Sequence, residues 1–146
     1  MLNITLQKVY TAYYIPSKKK FLMWLKPAYK NKKQNFITIR IVNACEIKTL
    51  NKKYRKINKI TNILSFSYNI IMSKKKIFSG DLIICSEKIF NEAKKQKKNL
   101  DAHWAYISIH GALHLQGYTH NTNINFEKMK KKENEILNIL GYQTPY

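Results

Sequence analysis

The sequence predicts a single α+β domain: a mixed sheet of about four strands packed with helices, one of which is central and buried on nearly every side. Three observations lead there. Four segments carry strand patterning, helical periodicities fall between and after them, and the 146 residues contain no internal repeat or linker that would mark a second domain.

The elements follow in order. Leu2 to Val9 alternates, with Leu2, Ile4 and Leu6 on one side, as a strand does. After Pro16, Ser17 is placed to cap a helix over Lys18 to Lys30, whose inner face is Phe21, Leu22, Trp24 and Leu25; Pro27 should kink or end it. Asn35 to Val42 is alternating and β-branched, the clearest strand in the chain. Ile47, Leu50, Tyr54 and Ile57 recur at helical spacing in a short basic amphipathic helix. Thr61 to Tyr68 and Gly80 to Cys85 are further strands, and the continuous apolar run of the second implies burial on both faces. Between them Asn69 to Ser79, with Lys74-Lys75-Lys76, reads as an exposed loop.

Ser86 then caps a helix to about Lys98, with Ile89, Phe90 and Ala93 inward and a solvated lysine run at its end, where cations suit the helix dipole. Asp101 opens the central helix, Ala102 to about Leu115, in which Trp104, Ile107, Ala112, Leu113 and Leu115 leave almost no polar side. A last helix, Asn125 to Leu140, aligns Phe126, Met129, Glu133, Ile136, Leu137 and Leu140 and ends at Gly141. Glu133 is out of place on that stripe. Such a carboxylate orients a histidine from behind, caps a backbone, or sits half-exposed.

Composition sets bounds on partners. The formal charge of +19, from 27 Lys+Arg against 8 Asp+Glu, attracts polyanions, nucleic acid first among them, although lysine enrichment of ordinary solvated faces gives the same count. No apolar run approaches the length of a membrane span, and the first residues lack the pattern of a signal peptide, so a cytoplasmic protein without membrane partners is expected. Cys45 and Cys85 stand apart from any ligand spacing and read as small core residues.

The chemistry concentrates in His110-Gly111-Ala112-Leu113-His114-Leu115-Gln116-Gly117-Tyr118-Thr119-His120. Four residues apart on a helix, His110 and His114 project from one face. Gly117 can take the left-handed conformation that ends a helix and turns the chain back, bringing His120 to the same point. Three nitrogen ligands with an open fourth position are the arrangement of a catalytic zinc site. The spacing matches the His-Glu-x-x-His-x-x-Gly-x-x-His pattern of metzincin proteases except that Gly111 replaces the general-base Glu. Arg55 also stands out, one of only two arginines in a lysine-rich chain. A guanidinium kept there suits bidentate donation to phosphate or carboxylate, or a structural salt bridge.

With these residues the sequence resembles the YbeY family of metal-dependent endoribonucleases. The resemblance runs from about Asn35 to Gly141 in four blocks: the histidine block, Leu50-Asn51 with Tyr54-Arg55, Thr61-Asn62-Ile63-Leu64-Ser65-Phe66, and Gly80-Asp81-Leu82. It implies one zinc ion held by His110, His114 and His120, with His114 and Arg55 as catalytic residues. It also implies cleavage of single-stranded RNA, in maturation of the 3′ end of small-subunit ribosomal RNA and in ribosome quality control, with ribosomal RNA and the small subunit as partners. Two acids of the family pattern are replaced here, by Asn62 and by Thr119. Two alternatives follow from these features: a metzincin-like hydrolase, and a ribosome-associated RNA-binding protein with weakened catalysis. No general base is evident, and both a water and the RNA 2′-hydroxyl stand as the attacking oxygen.

Overall fold

The computed structural model describes residues 1–30, 33–72 and 75–145. Its element order is β1 (Leu2–Lys8), α1 (Lys18–Leu25), a 3₁₀ turn (Lys26–Ala28), β2 (Gln34–Val42), α2 (Ala44–Arg55), β3 (Ile63–Met72), β4 (Lys75–Cys85), α3 (Ser86–Lys95), α4 (Leu100–Leu115) and α5 (Asn123–Leu140). The four strands lie in the order β1-β2-β4-β3. β1, β2 and β4 run parallel while β3 is antiparallel to β4, which makes the expected mixed sheet.

Helices cover both faces of the sheet. Ile47 of α2 packs against Val42, Leu64, Ile83 and Cys85, while Leu82 and Ile84 join the larger core on the other side with Phe21, Trp24, Trp104, Ile109 and Leu113. β4 is therefore apolar on consecutive residues because both of its faces are buried, as its sequence requires. Each large side chain fully buried there stabilises the fold by about 1.5–3 kcal/mol. α4 is the central helix, and nine of its sixteen residues are buried. Asn99 caps it by accepting from the Ala102 amide.

Gly111 and Gly80 set how closely this helix approaches the sheet. A Cβ on Gly111 would run into Ile63 Cδ1 and lie 3.0 Å from Leu82 Cδ2; one on Gly80 would lie 2.8 Å from Leu115 Cδ2. Ser65 Oγ closes the seam by donating to the Gly111 carbonyl at 3.1 Å.

Several expectations are corrected. The α-helical part of the first helix stops at Leu25 instead of Lys30, because Pro27 permits only a tightened 3₁₀ turn beyond it. The segment read as a loop, Asn69 to Ser79, belongs to two paired strands, whose register extends to Met72 opposite Lys75; residues 73 and 74, with Lys74 of the lysine run, lie outside the described residues. Ser86 is the first residue of α3 and not its cap; Cys85 holds the cap position, with no side-chain bond to the helix. That helix ends at Lys95, where Lys97 takes a left-handed conformation. Phe90 and Phe126 sit at the margins of their apolar stripes and are partly exposed, and Cys45 faces solvent while Cys85 is buried.

Candidate metal centre

The end of α4 and the turn after it build the site. Gln116 is the last cap position, and Gly117 follows at φ 95°, the left-handed geometry that reverses the chain. Tyr118 N–H then donates back to the Leu113 carbonyl at 3.1 Å, fixing the path that carries His120 to the helical pair. The ligating atoms of His110, His114 and His120 all lie within 4.8 Å of one another. The Nε2 atoms of His110 and His114 are 3.1 Å apart. Two nitrogens on a tetrahedral zinc, at bonds of about 2.0–2.1 Å, would be separated by roughly 3.3 Å, so the pair already stands near the spacing a metal ion needs.

The far ring nitrogens are held from behind. His110 Nδ1 meets Glu133 Oε1 of α5 at 2.8 Å, and His114 Nδ1 meets the Tyr118 carbonyl oxygen at 2.9 Å. Both partners accept, so each Nδ1 carries the hydrogen and each Nε2 turns its lone pair to the shared point. Glu133 is buried, which settles the reading of the acid on the apolar stripe: it orients a histidine. Its second oxygen has no partner among the described residues. Burial, and then repulsion from the His110 ring, holds the His114 pKa below its ordinary 6.5, which favours the neutral, ligating imidazole.

The three histidines open on a cleft of about 630 Å³ between α4 and the edge strand β3. Arg55 lies across it. Its Nη2 donates to the Ser65 carbonyl at 2.7 Å, and its guanidinium carbon stands 4.7 Å from the centre of the Phe66 ring, which Tyr54 braces edge-on at 5.3 Å. One guanidinium edge is used in anchoring and the remaining donors stay available. Arg40, by contrast, forms the structural salt bridge, to Glu46 at 2.9 Å.

Position 111 faces the sheet and not the cleft, so the general base of the metzincin pattern has no room here. Both residues that stand in place of the family's acids line the cleft, but among the described residues neither side chain hydrogen-bonds a histidine of the triad. Thr119 bonds Asn121, and the Asn62 amide donates to Glu92 at 3.1 Å, which His103 also meets at 3.1 Å.

A profile of the family described as endoribonuclease YbeY matches residues 5–141. The chain belongs to the YbeY family. It is 47% identical over 135 residues to an endoribonuclease YbeY of Buchnera aphidicola from Baizongia pistaciae, covering 91% of this chain and 88% of the relative. The YbeY of Wigglesworthia glossinidia brevipalpis is 46% identical over 133 residues, covering 90% and 88%. A solution structure of a Thermotoga maritima protein shares the fold, with a TM-score of 0.55 at 22% identity over 97% of this chain and 92% of that one. Among the described residues no helix is long and apolar enough to cross a membrane.

The histidine spacing and Arg55 were visible in sequence, and the structure brings them to one cleft. Ser65, Phe66 and the Tyr118 carbonyl have no sequence signal as site residues, because nothing local marks a residue whose role is to hold another.

Proposed function

We propose that this YbeY-family chain is a single-strand-specific metallo-endoribonuclease, with one zinc ion held by His110, His114 and His120 and with Arg55 and His114 as catalytic residues. The observation that carries this reading is the convergence of three imidazoles, two of them locked from behind, on a cleft that also presents an arginine. Three neutral nitrogen donors suit zinc better than magnesium or calcium, which prefer oxygen. A zinc ion held by His110, His114 and His120 would supply Lewis acidity toward a phosphoryl oxygen and a water.

The chain's own groups do the rest. Glu133 and the Tyr118 carbonyl keep two rings in the ligating tautomer. Arg55, held over the Phe66 ring, offers its remaining N–H groups to the charge that builds on the phosphoryl oxygens in the transition state. Among the described residues no Asp, Glu or Lys lines the cleft, so the proton of the attacking oxygen, whether a water or the RNA 2′-hydroxyl, leaves to solvent or to the RNA itself. The net charge of +19 supports binding to a polyanion, with affinity that falls as salt rises. Family membership supports ribosomal RNA of the small subunit as the target and the small subunit as partner.

The test is cleavage of a labelled single-stranded RNA by the zinc-loaded chain beside His114→Ala and Arg55→Ala. Loss of cutting in both variants, with about one zinc per wild-type chain, supports the mechanism. Equal cutting by all three proteins, or none by any, overturns it.

A further inference from the structure

A second cavity, of about 300 Å³, lies between the start of α4 and the segment that follows α5. Lys97, Lys98, Tyr106, Tyr142 and His103 are among its lining residues. It combines cations, aromatic faces and a buried imidazole, at the lower end of the size range of small-ligand pockets.

His103 is 3% exposed, and its Nε2 lies 3.1 Å from Glu92 Oε1. A carboxylate only accepts, so Nε2 carries a hydrogen, and in the neutral ring Nδ1 then presents a lone pair. That buried Nδ1 has no hydrogen-bond partner among the described residues. Buried polar atoms are seldom left so, and a donor is what this one lacks. Tyr142 is fixed by the Trp24 indole N–H, which donates to its hydroxyl at 3.2 Å. Tyr106 lines this cavity and the histidine cleft alike, its ring centre 6.3 Å from that of His103 and 6.1 Å from that of His110.

We propose that this cavity is a nucleotide-binding subsite, which seats one nucleotide of the RNA adjacent to the bond at the histidine cleft. Its base lies against the Tyr106 and Tyr142 rings and donates an amino or imino hydrogen to His103 Nδ1, while its phosphate is neutralised by Lys97 and Lys98. The chemistry selects this ligand. A carboxylate side chain brings only acceptors and would leave Nδ1 unmatched, and free phosphate has no ring to lie against the tyrosines; a nucleotide brings acceptors on its phosphate and both donors and an aromatic face on its base. The adjacency to a cleaved bond rests on the RNA-cleavage reading, whereas the nucleotide site itself does not.

The test is an NMR titration of the isotopically labelled, full-length chain with the four nucleoside 5′-monophosphates and with inorganic phosphate. The amides of Ala102, His103 and Gly141 to Thr144 are followed against those of Gly117 to His120. At least one monophosphate is expected to shift the first set and to bind more tightly than phosphate. The double variant Lys97→Ala/Lys98→Ala, at exposed positions that leave the core intact, should weaken it about five- to tenfold and raise the KM for RNA by a similar factor. Shifts confined to Gly117–His120, or equal binding by variant and wild type, overturn the subsite. If a monophosphate binds the cavity and no RNA is cut, the nuclease reading fails and the nucleotide site stands. If RNA is cut and the double variant keeps both its affinity and its KM, the subsite alone fails.

Discussion

Glu133 and His110 meet across 2.8 Å, a buried carboxylate of α5 behind an imidazole of α4. The bond ties the last helix to the metal centre, so a change on one element is read out on the other. Replacing Glu133 with Gln keeps the shape and removes the charge that makes His110 a stronger donor to the ion. Zinc affinity, measured by competition with a chelating dye, should fall about 10–100-fold with little change in fold. Unchanged affinity would deny Glu133 this role.

The pKa of His114 gives a second check. With burial and the His110 ring both pushing it down, the metal-free chain should show a His114 ring titration centred below 6.5 by NMR. The folded state binds fewer protons at this ring than the unfolded chain does, so the contribution of His114 is complete above pH 6.5 and declines as pH falls through the folded pKa. A midpoint above 6.5 contradicts the buried, neutral ring.

Gly111 separates a packing role from a chemical one. Restoring the metzincin carboxylate with Gly111→Glu would force a charge into the seam against Ile63 and Leu82. The cost should reach about 3 kcal/mol or more, a fall in Tm of about 10 °C, with no peptidase activity gained. A stable variant that cleaves peptides would mean that position 111 faces the cleft.

Arg55→Lys keeps the charge and discards the planar fork of donors that lies over Phe66. Single-turnover RNA cleavage should slow by about tenfold to a hundredfold, while thermal stability holds. A lysine variant as fast as wild type would reduce Arg55 to a point charge.

Burial would raise the pKa of Glu92, but hydrogen bonds from His103 and Asn62 outweigh it and leave the carboxylate below its ordinary 4.5. A depressed carboxylate contributes its stability above pH 4.5 and loses it as pH falls through the folded value. Asn62→Asp exchanges a donor for a like charge. With the Glu92 side chain 24% exposed, the variant should lose about 1–3 kcal/mol at neutral pH. The two carboxylates repel only while both are ionised, so this deficit should shrink as pH falls below about 4.5; a deficit that stays the same from neutral to acid pH would remove Asn62 from the network.

Much of this was legible because the signals are local. Alternation from Asn35 to Val42 located β2 within one residue, and the consecutive apolar residues of β4 announced burial on both faces. The His-x-x-x-His pair and Gly117 specify a helix and its reversal, which are one-dimensional facts. What stayed hidden depends on pairing across the chain. Lys75 and the residues after it carry no strand pattern, and backbone pairing with β3, joined by β2 from Ile77 on, makes them sheet. Periodicity places Phe90 on the inner side of α3 but cannot say where the neighbouring element stops covering it. The Ser65–Gly111 bond, the Phe66 platform under Arg55 and the Asn62–Glu92–His103 chain join residues from separate elements, and none has a sequence signature.

The register of the sheet also orders its assembly. β3 and β4 pair from Met72 and Lys75 outward, a closure spanning a few residues, whereas Leu2 must find Asn35 and Gln34 must find Ile77 across long stretches of chain. Loop-closure entropy favours the short path, so the hairpin is the expected nucleus, with β2 and finally β1 docking onto it. The strand that walls the cleft is then laid down early, and substitutions in the hairpin should slow folding, while those in β1 should mainly hasten unfolding.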